Sequence, residues 1–216
     1  MAVEAVLFDL DGTLADTAPD LGAALNRLRL AAELPALPLD AIRPHTSNGA
    51  RGLLRIGFDI GPEDDRYEDL NARFLMFYAE DVCRHTRLFE GMSELVAGLE
   101  ARGMPWGIVT NKAGRFTGPL LGLLNLAHRA ACVVSGDTTP HAKPHPAPLL
   151  HAASLIGRQP SSCLYVGDDL RDVQAARAAG MGVLAAAYGY LGTQGDPADW
   201  HADAVIRHPL EVLNYL

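Results

Sequence analysis

The chain of 216 residues is predicted to be an α/β protein, a doubly wound parallel sheet with an inserted α-helical cap. Three observations predict this. Short, continuous apolar runs recur along the sequence, the pattern of strands covered on both faces. Helical stretches separate them, giving the alternation of a parallel sheet. One interval, 17–85, holds helical patterns and no strand-like run. The expected partition is a core of residues 1–16 and 86–216, with a cap of residues 17–85.

The elements follow in order. Val3–Phe8 reads as the first strand. Thr17-Ala18-Pro19-Asp20 reads as a helix start, with a capping hydroxyl, an early proline and a first-turn acid. Helical spacing then covers Leu21–Ala32, Ala41–Ile56 and Glu63–Val82. Past residue 85, apolar runs recur at Pro105–Val109, Ala131–Val134, Cys163–Val166, Gly182–Ala186 and Ala204–Ile206. Between them, Met92–Arg102 and Val173–Ala179 read as helices ended by Gly103 and Gly180, residues suited to a left-handed cap.

Composition narrows the function classes. Hydrophobic residues at 49% and charged residues at 20% fit a soluble protein with a core. A net charge of −8 and the lack of a Lys/Arg cluster argue against a nucleic-acid partner. No stretch reaches transmembrane length, and the N-terminal run is too short for a secretory signal. Cys83, Cys132 and Cys163 are an odd number, two of them in apolar runs, and are expected as reduced thiols of a cytoplasmic protein. The oligomeric state is left open between monomer and homodimer.

The most informative segment is Asp9-Leu10-Asp11-Gly12-Thr13, at the carboxyl end of the first strand. In open α/β sheets that edge binds ligands. At a rise of about 3.3 Å per residue, Asp9 and Asp11 can share a cation or flank one reacting group. Gly12 permits a sharp turn, and Thr13 offers a hydroxyl and an N–H to an anion. Three later sites fall on the same edge if the sheet is parallel: Thr110-Asn111, the loop with Lys143, and Asp168-Asp169-Leu170-Arg171-Asp172. Clustered acids, hydroxyl and amide donors, and a lysine acting as a mobile positive charge form the set that phosphoryl transfer needs. His141, His145 and His151 lie among prolines and lack the helical spacing of a transition-metal pair.

The D-x-D-G-T at a strand end resembles the nucleophile motif of the haloacid dehalogenase superfamily, and the later sites follow in that family's order. The resemblance implies a Rossmann-like core and Mg²⁺-dependent hydrolysis of a small phosphomonoester through an aspartyl-phosphate. It implies Asp9 as nucleophile, Asp11 as general acid/base, and Thr110 and Lys143 as the second and third motifs. Asp168 would complete a Mg²⁺ shell with Asp9 and the backbone carbonyl of Asp11. Asp172 would orient metal-bound water, and Asp169, where the family often has a small residue, is either a loop acid or part of the outer metal shell. Thr13 and Asn111 are the expected contacts to substrate.

Substrate choice is read from the cap. Ser47-Asn48-Gly49-Ala50-Arg51 resembles the cap loop of phosphoglycolate-phosphatase-like members, with Arg51 a candidate partner for a substrate carboxylate. Phe89-Glu90-Gly91-Met92, Val166–Asp172, Tyr188-Gly189-Tyr190 and His208-Pro209-Leu210-Glu211 resemble the N-acetylmuramic acid 6-phosphate phosphatases of cell-wall recycling. A sugar phosphomutase would use the same nucleophile. A phospho-accepting receiver module is a different class, but its acceptor follows the third strand and it lacks a helical insert. A binding protein without catalysis is disfavoured by the complete motif set.

Overall fold

The computed structural model describes residues 2–216. Six parallel strands form the central sheet: β1 (Ala5–Phe8), β4 (Trp106–Val109), β5 (Cys132–Val134), β6 (Cys163–Gly167), β7 (Gly182–Ala186) and β8 (Ala204–Ile206), in the order β5-β4-β1-β6-β7-β8. The continuous apolar runs have a simple cause. Along β1, Val6 and Phe8 pack into one core while Ala5 and Leu7 pack into another on the opposite face. The first core is covered by α5 (Met92–Ala101) through Met92, Leu95, Val96 and Leu99. The second is covered by α7 (Ala147–Leu155) and α8 (Leu170–Ala179). The last helix on the sheet, α6, spans Gly114–Leu123.

Between β1 and α5 the chain leaves the sheet. Its helices are α1 (Ala18–Ala31), α2 (Leu39–Ile42), α3 (Gly49–Phe58) and α4 (Tyr67–Glu80), and no strand lies among them in the described residues. They pack through apolar stripes at helical spacing: Leu21, Leu25 and Leu28 on α1, and Leu70, Phe74 and Tyr78 on α4.

The connectors to this helical cap hold the feature that periodicity missed. A two-residue strand β2 (Ala15–Asp16) pairs antiparallel with β3 (Arg87–Leu88). Two residues are too short to display a period of two, so the ribbon left no pattern. Side chains fasten it: Asp20 accepts from the backbone N–H groups of His85 and Thr86 and from the Thr86 hydroxyl. Asp16 accepts from Arg43 and from the Tyr190 hydroxyl, both at 2.8 Å.

Three local expectations are corrected. Ala41–Ile56 is not one helix: α2 ends at Ile42, a 3₁₀ segment spans Arg43–Asn48, and α3 begins at Gly49, whose φ is +58°. Pro44 and that left-handed glycine interrupt the α-helical ladder. The third cap helix starts at Tyr67 rather than Glu63, because the Asp64 carboxylate accepts from the Arg66 N–H and holds a turn there. Thr17 does precede α1, but its hydroxyl makes no capping bond and is donated to Asp11 instead.

Candidate active site

The parallel sheet does for the motifs what sequence spacing could not. Asp9 follows β1, Thr110 follows β4, Lys143 lies in the loop after β5, and Asp168 follows β6, so all four emerge at the carboxyl edge. Asp9, Asp11, Thr110, Asn111, Lys143, Asp169 and Asp172 line one cavity of about 260 Å³. That is close to the small end for ligand sites and suits a small ester rather than a polymer.

At its floor, carboxylate oxygens of Asp9, Asp168 and Asp172 lie within 4.8 Å of one another. Lys143 is held against two of them, with Nζ 2.9 Å from Asp9 and 2.7 Å from Asp172. It also donates to Val109 O at 2.9 Å and to the Tyr165 hydroxyl at 2.8 Å. At 5% exposure and with this many bonds, Lys143 is a fixed charge, not the mobile one expected from its loop. Asn111 explains part of the rigidity, since its side-chain amide donates to Lys143 O and accepts from Lys143 N, both at 2.9 Å.

Electrostatics follow from burial. Burial pushes the Asp9 carboxyl up to about 7, with Asp172 adding to the rise and Lys143 opposing it. Asp168, fully enclosed and beside the other two acids, is pushed well above the usual carboxylate range. Burial by itself would lower the Lys143 ammonium, but Asp172 and Asp9 outweigh it and raise it. Fully ionised, three acids facing one ammonium would leave a negative excess in a poorly solvated site, an excess that protons or a bound cation can offset. Hard oxygen donors in that arrangement fit a hard divalent cation, so the residues present suit a metal.

Asp11 stands apart from the three-acid group. Its carboxylate accepts from Lys112 Nζ at 2.8 Å and from the Thr17 hydroxyl. Lys112 in turn lies 4.8 Å from the Tyr78 ring centroid, so a cap side chain covers the cation beside Asp11. Sequence reasoning missed Lys112. Its one available signal was a charge following Thr110-Asn111 at the strand end.

Other expected roles are redistributed. The Thr13 hydroxyl donates to Asp168 at 3.0 Å and its N–H to Leu10 O, which leaves it positioning an acid rather than facing the cavity. Asp168's other oxygen accepts from Tyr190 N at 2.9 Å. Asp169 caps α8 by accepting from Arg171 N, while the Asp172 carboxylate accepts from Asp169 N, a reciprocal capping box. Asp169 also holds the Arg171 guanidinium with both oxygens, at 2.8 and 2.9 Å, and Arg171 reaches Ser47 O of the cap. Asp172, expected behind the metal, has its carboxylate within the three-acid group. Arg51 is not brought to the site; it is exposed on α3, while Arg115 and Arg171 are the arginines lining the cavity. His141 and His145 stack at 4.4 Å between centroids and take no part in the acid group.

Gly12 shows how tightly the floor is packed. Its φ is +86°, and a Cβ there would lie 2.2 Å from Asp168 Oδ2. Gly12→Ala is therefore expected to lose roughly 1–3 kcal/mol of stability and to displace Asp168. Denaturant unfolding, with turnover measured in parallel, checks this.

Comparison with known proteins identifies the family. The profile of the haloacid dehalogenase-like hydrolases matches residues 6–186. The chain is 43% identical over 212 residues to the N-acetylmuramic acid 6-phosphate phosphatase of Pseudomonas putida, covering 98% of this chain and 95% of that protein. It is also 43% identical over 205 residues to the phosphoglycolate phosphatase of Xanthomonas campestris pv. campestris, covering 95% and 92%. Among solved structures, a predicted phosphoglycolate phosphatase from Haemophilus somnus 129pt superposes with a TM-score of 0.87 at 28% identity, over 98% of this chain and 97% of that one. No helix among the described residues is long and apolar enough to cross a membrane. With a match across most of its length and relatives this similar, the chain belongs to the haloacid dehalogenase-like hydrolases, and among them to the phosphatases.

Proposed function

We propose that the protein hydrolyses a small-molecule phosphomonoester with Mg²⁺, through a phosphoryl group carried on Asp9. The observation that carries the reading is the Asp9–Asp168–Asp172 cluster with Lys143 at 2.9 Å from Asp9, at the floor of the cavity between core and helical insert. Asp9, Asp168 and Asp172 would hold the cation. When bound, it neutralises the charge of the phosphate and of the acids around it. Asp9 Oδ attacks phosphorus and the ester oxygen leaves. Asp11, held by Lys112 and Thr17 outside the acid group, donates a proton to that oxygen and later accepts one from the attacking water. Splitting the displacement in two lets each step use the same residues. Lys143 neutralises the approach of one anion to another.

The helices of 17–85 act in this reading as a lid that excludes water and selects the alcohol. Support comes from the cavity walls, which combine cap residues Leu21, Phe74 and Tyr78 with core residues Ala113 and Phe116. The relatives named above act on phosphoglycolate or on N-acetylmuramic acid 6-phosphate. Phosphoglycolate phosphatase activity is the first reading; the apolar wall favours the second, larger alcohol. Parallel measurement of kcat/KM on both esters decides between them. Release of an isomeric sugar phosphate instead of inorganic phosphate would make the protein a mutase. The three free thiols support a reducing, cytoplasmic setting.

Asp11→Asn is expected to slow turnover by roughly 10²–10⁴-fold, the usual worth of general acid–base catalysis. The loss should be smaller on p-nitrophenyl phosphate, whose leaving group needs little protonation. Equal losses on an alkyl ester and the nitrophenyl ester would assign Asp11 a different role.

A further inference from the structure

We propose that Arg115 selects a second anionic group, a carboxylate, on the alcohol half of the substrate. The inference rests on the phosphatase reading above and names a residue for its specificity.

Four cationic side chains line the cavity: Lys112, Arg115, Lys143 and Arg171. Three are already neutralised by carboxylates of the site. Lys112 is bound to Asp11, Lys143 to Asp9 and Asp172, and Arg171 to Asp169 with both of that residue's oxygens. Arg115 forms no ion pair among the described residues; its guanidinium lies 4.7 Å from the Phe116 ring centroid. It stands in the first turn of α6, among the residues that line the cavity, and is exposed. A ligand whose phosphate engages the acid and Lys143 floor therefore meets one uncompensated positive charge on the cavity wall.

The chemistry of that charge specifies its partner. A guanidinium presents a planar fork that matches a carboxylate bidentately, and its attraction is stronger beside apolar Phe116 and Ala113 than in open water. A second polar group in the cavity also awaits a ligand: Ser47 Oγ is buried without a hydrogen-bond partner. A hydroxyl donor on the cap and an unpaired guanidinium on the core suit an oxygen-rich ester with a carboxylate. A neutral alcohol would leave the guanidinium unmatched. Arg51, exposed and absent from the cavity wall, has no such access.

The test compares esters that differ in the carboxylate alone: 2-phosphoglycolate against 2-phosphoglycolamide, and N-acetylmuramic acid 6-phosphate against the amide of its lactyl group. The readout is the ratio of kcat/KM, acid over neutral, with Mg²⁺ present. Wild type is expected to favour the acid of the better pair. Arg115→Ala should lower that ratio by roughly 10- to 100-fold, the worth of a charge-assisted pair, and Arg115→Lys should recover part of it. A ratio unchanged in Arg115→Ala, with both esters slowed equally, overturns the inference and leaves the phosphatase reading standing. A ratio that collapses in Arg51→Ala and not in Arg115→Ala overturns it in favour of Arg51. Wild type inert toward every ester overturns the phosphatase reading, and this inference with it.

Discussion

Asp9→Asn is expected to abolish phosphomonoester hydrolysis, with a loss of at least about 10³-fold, because the carboxylate oxygen that would carry the phosphoryl group is replaced by an amide. Initial rates on p-nitrophenyl phosphate with Mg²⁺ and with EDTA provide the measurement; chelation should silence the wild type as well. Retained turnover in the variant would remove Asp9 from the chemistry. The same substitution should not weaken the fold. Asp9 Oδ1 accepts from Lys143 and from Leu10 N, and an asparagine oxygen can keep both bonds. The folded-state carboxyl is raised by burial from 3.8 to about 7. The stability contributed by its neutral form is therefore present below about pH 3.8 and lost as pH rises through about 7. Asparagine does not titrate, so in metal-free buffer the variant should gain on the wild type between pH 4 and 8. Thermal unfolding across that range checks the sign, and a wild type that pulls ahead as pH rises would refute it.

Lys143→Ala is expected to damage both stability and activity. The ammonium is buried and bridges Asp9 and Asp172, so its removal leaves enclosed carboxylates without their cation. Breaking a buried pair from one side costs about 3–5 kcal/mol. Tyr165 would also lose its hydrogen-bond donor. Divalent cation should restore part of the lost stability by supplying positive charge to the same acids, while turnover stays low for want of the fixed ammonium. Urea unfolding with EDTA and with Mg²⁺ measures the first effect. A variant as stable as wild type in EDTA would show that Asp9 and Asp172 tolerate the loss by taking up protons.

The strands β7 and β8 lie where their apolar runs ended, at Gly182–Ala186 and Ala204–Ile206; β7 is buried along all but its first residue, and a strand covered on both faces has no polar positions to blur its limits. The motif acids were legible for a related reason. A strand end in a parallel sheet fixes which edge a residue occupies, whatever lies between the strands in sequence. The cap was legible as helical but not in its breaks: the 3₁₀ segment at Arg43–Asn48 turns on one proline and one left-handed glycine, which a periodic pattern averages away.

What the sequence by itself determined was the class of fold and the edge of the sheet at which Asp9, Asp11, Asp168 and Asp172 gather with Lys143. Only the tertiary structure decided who partners whom. It gave Thr13 to Asp168, Thr17 and Lys112 to Asp11, and Asp169 to Arg171 and its own helix. It also put Arg115, and not Arg51, on the cavity wall. The physical reason is range. Strand burial and helix periodicity are local and repeat along the chain, whereas pairing between side chains up to 174 residues apart depends on which elements the fold makes neighbours.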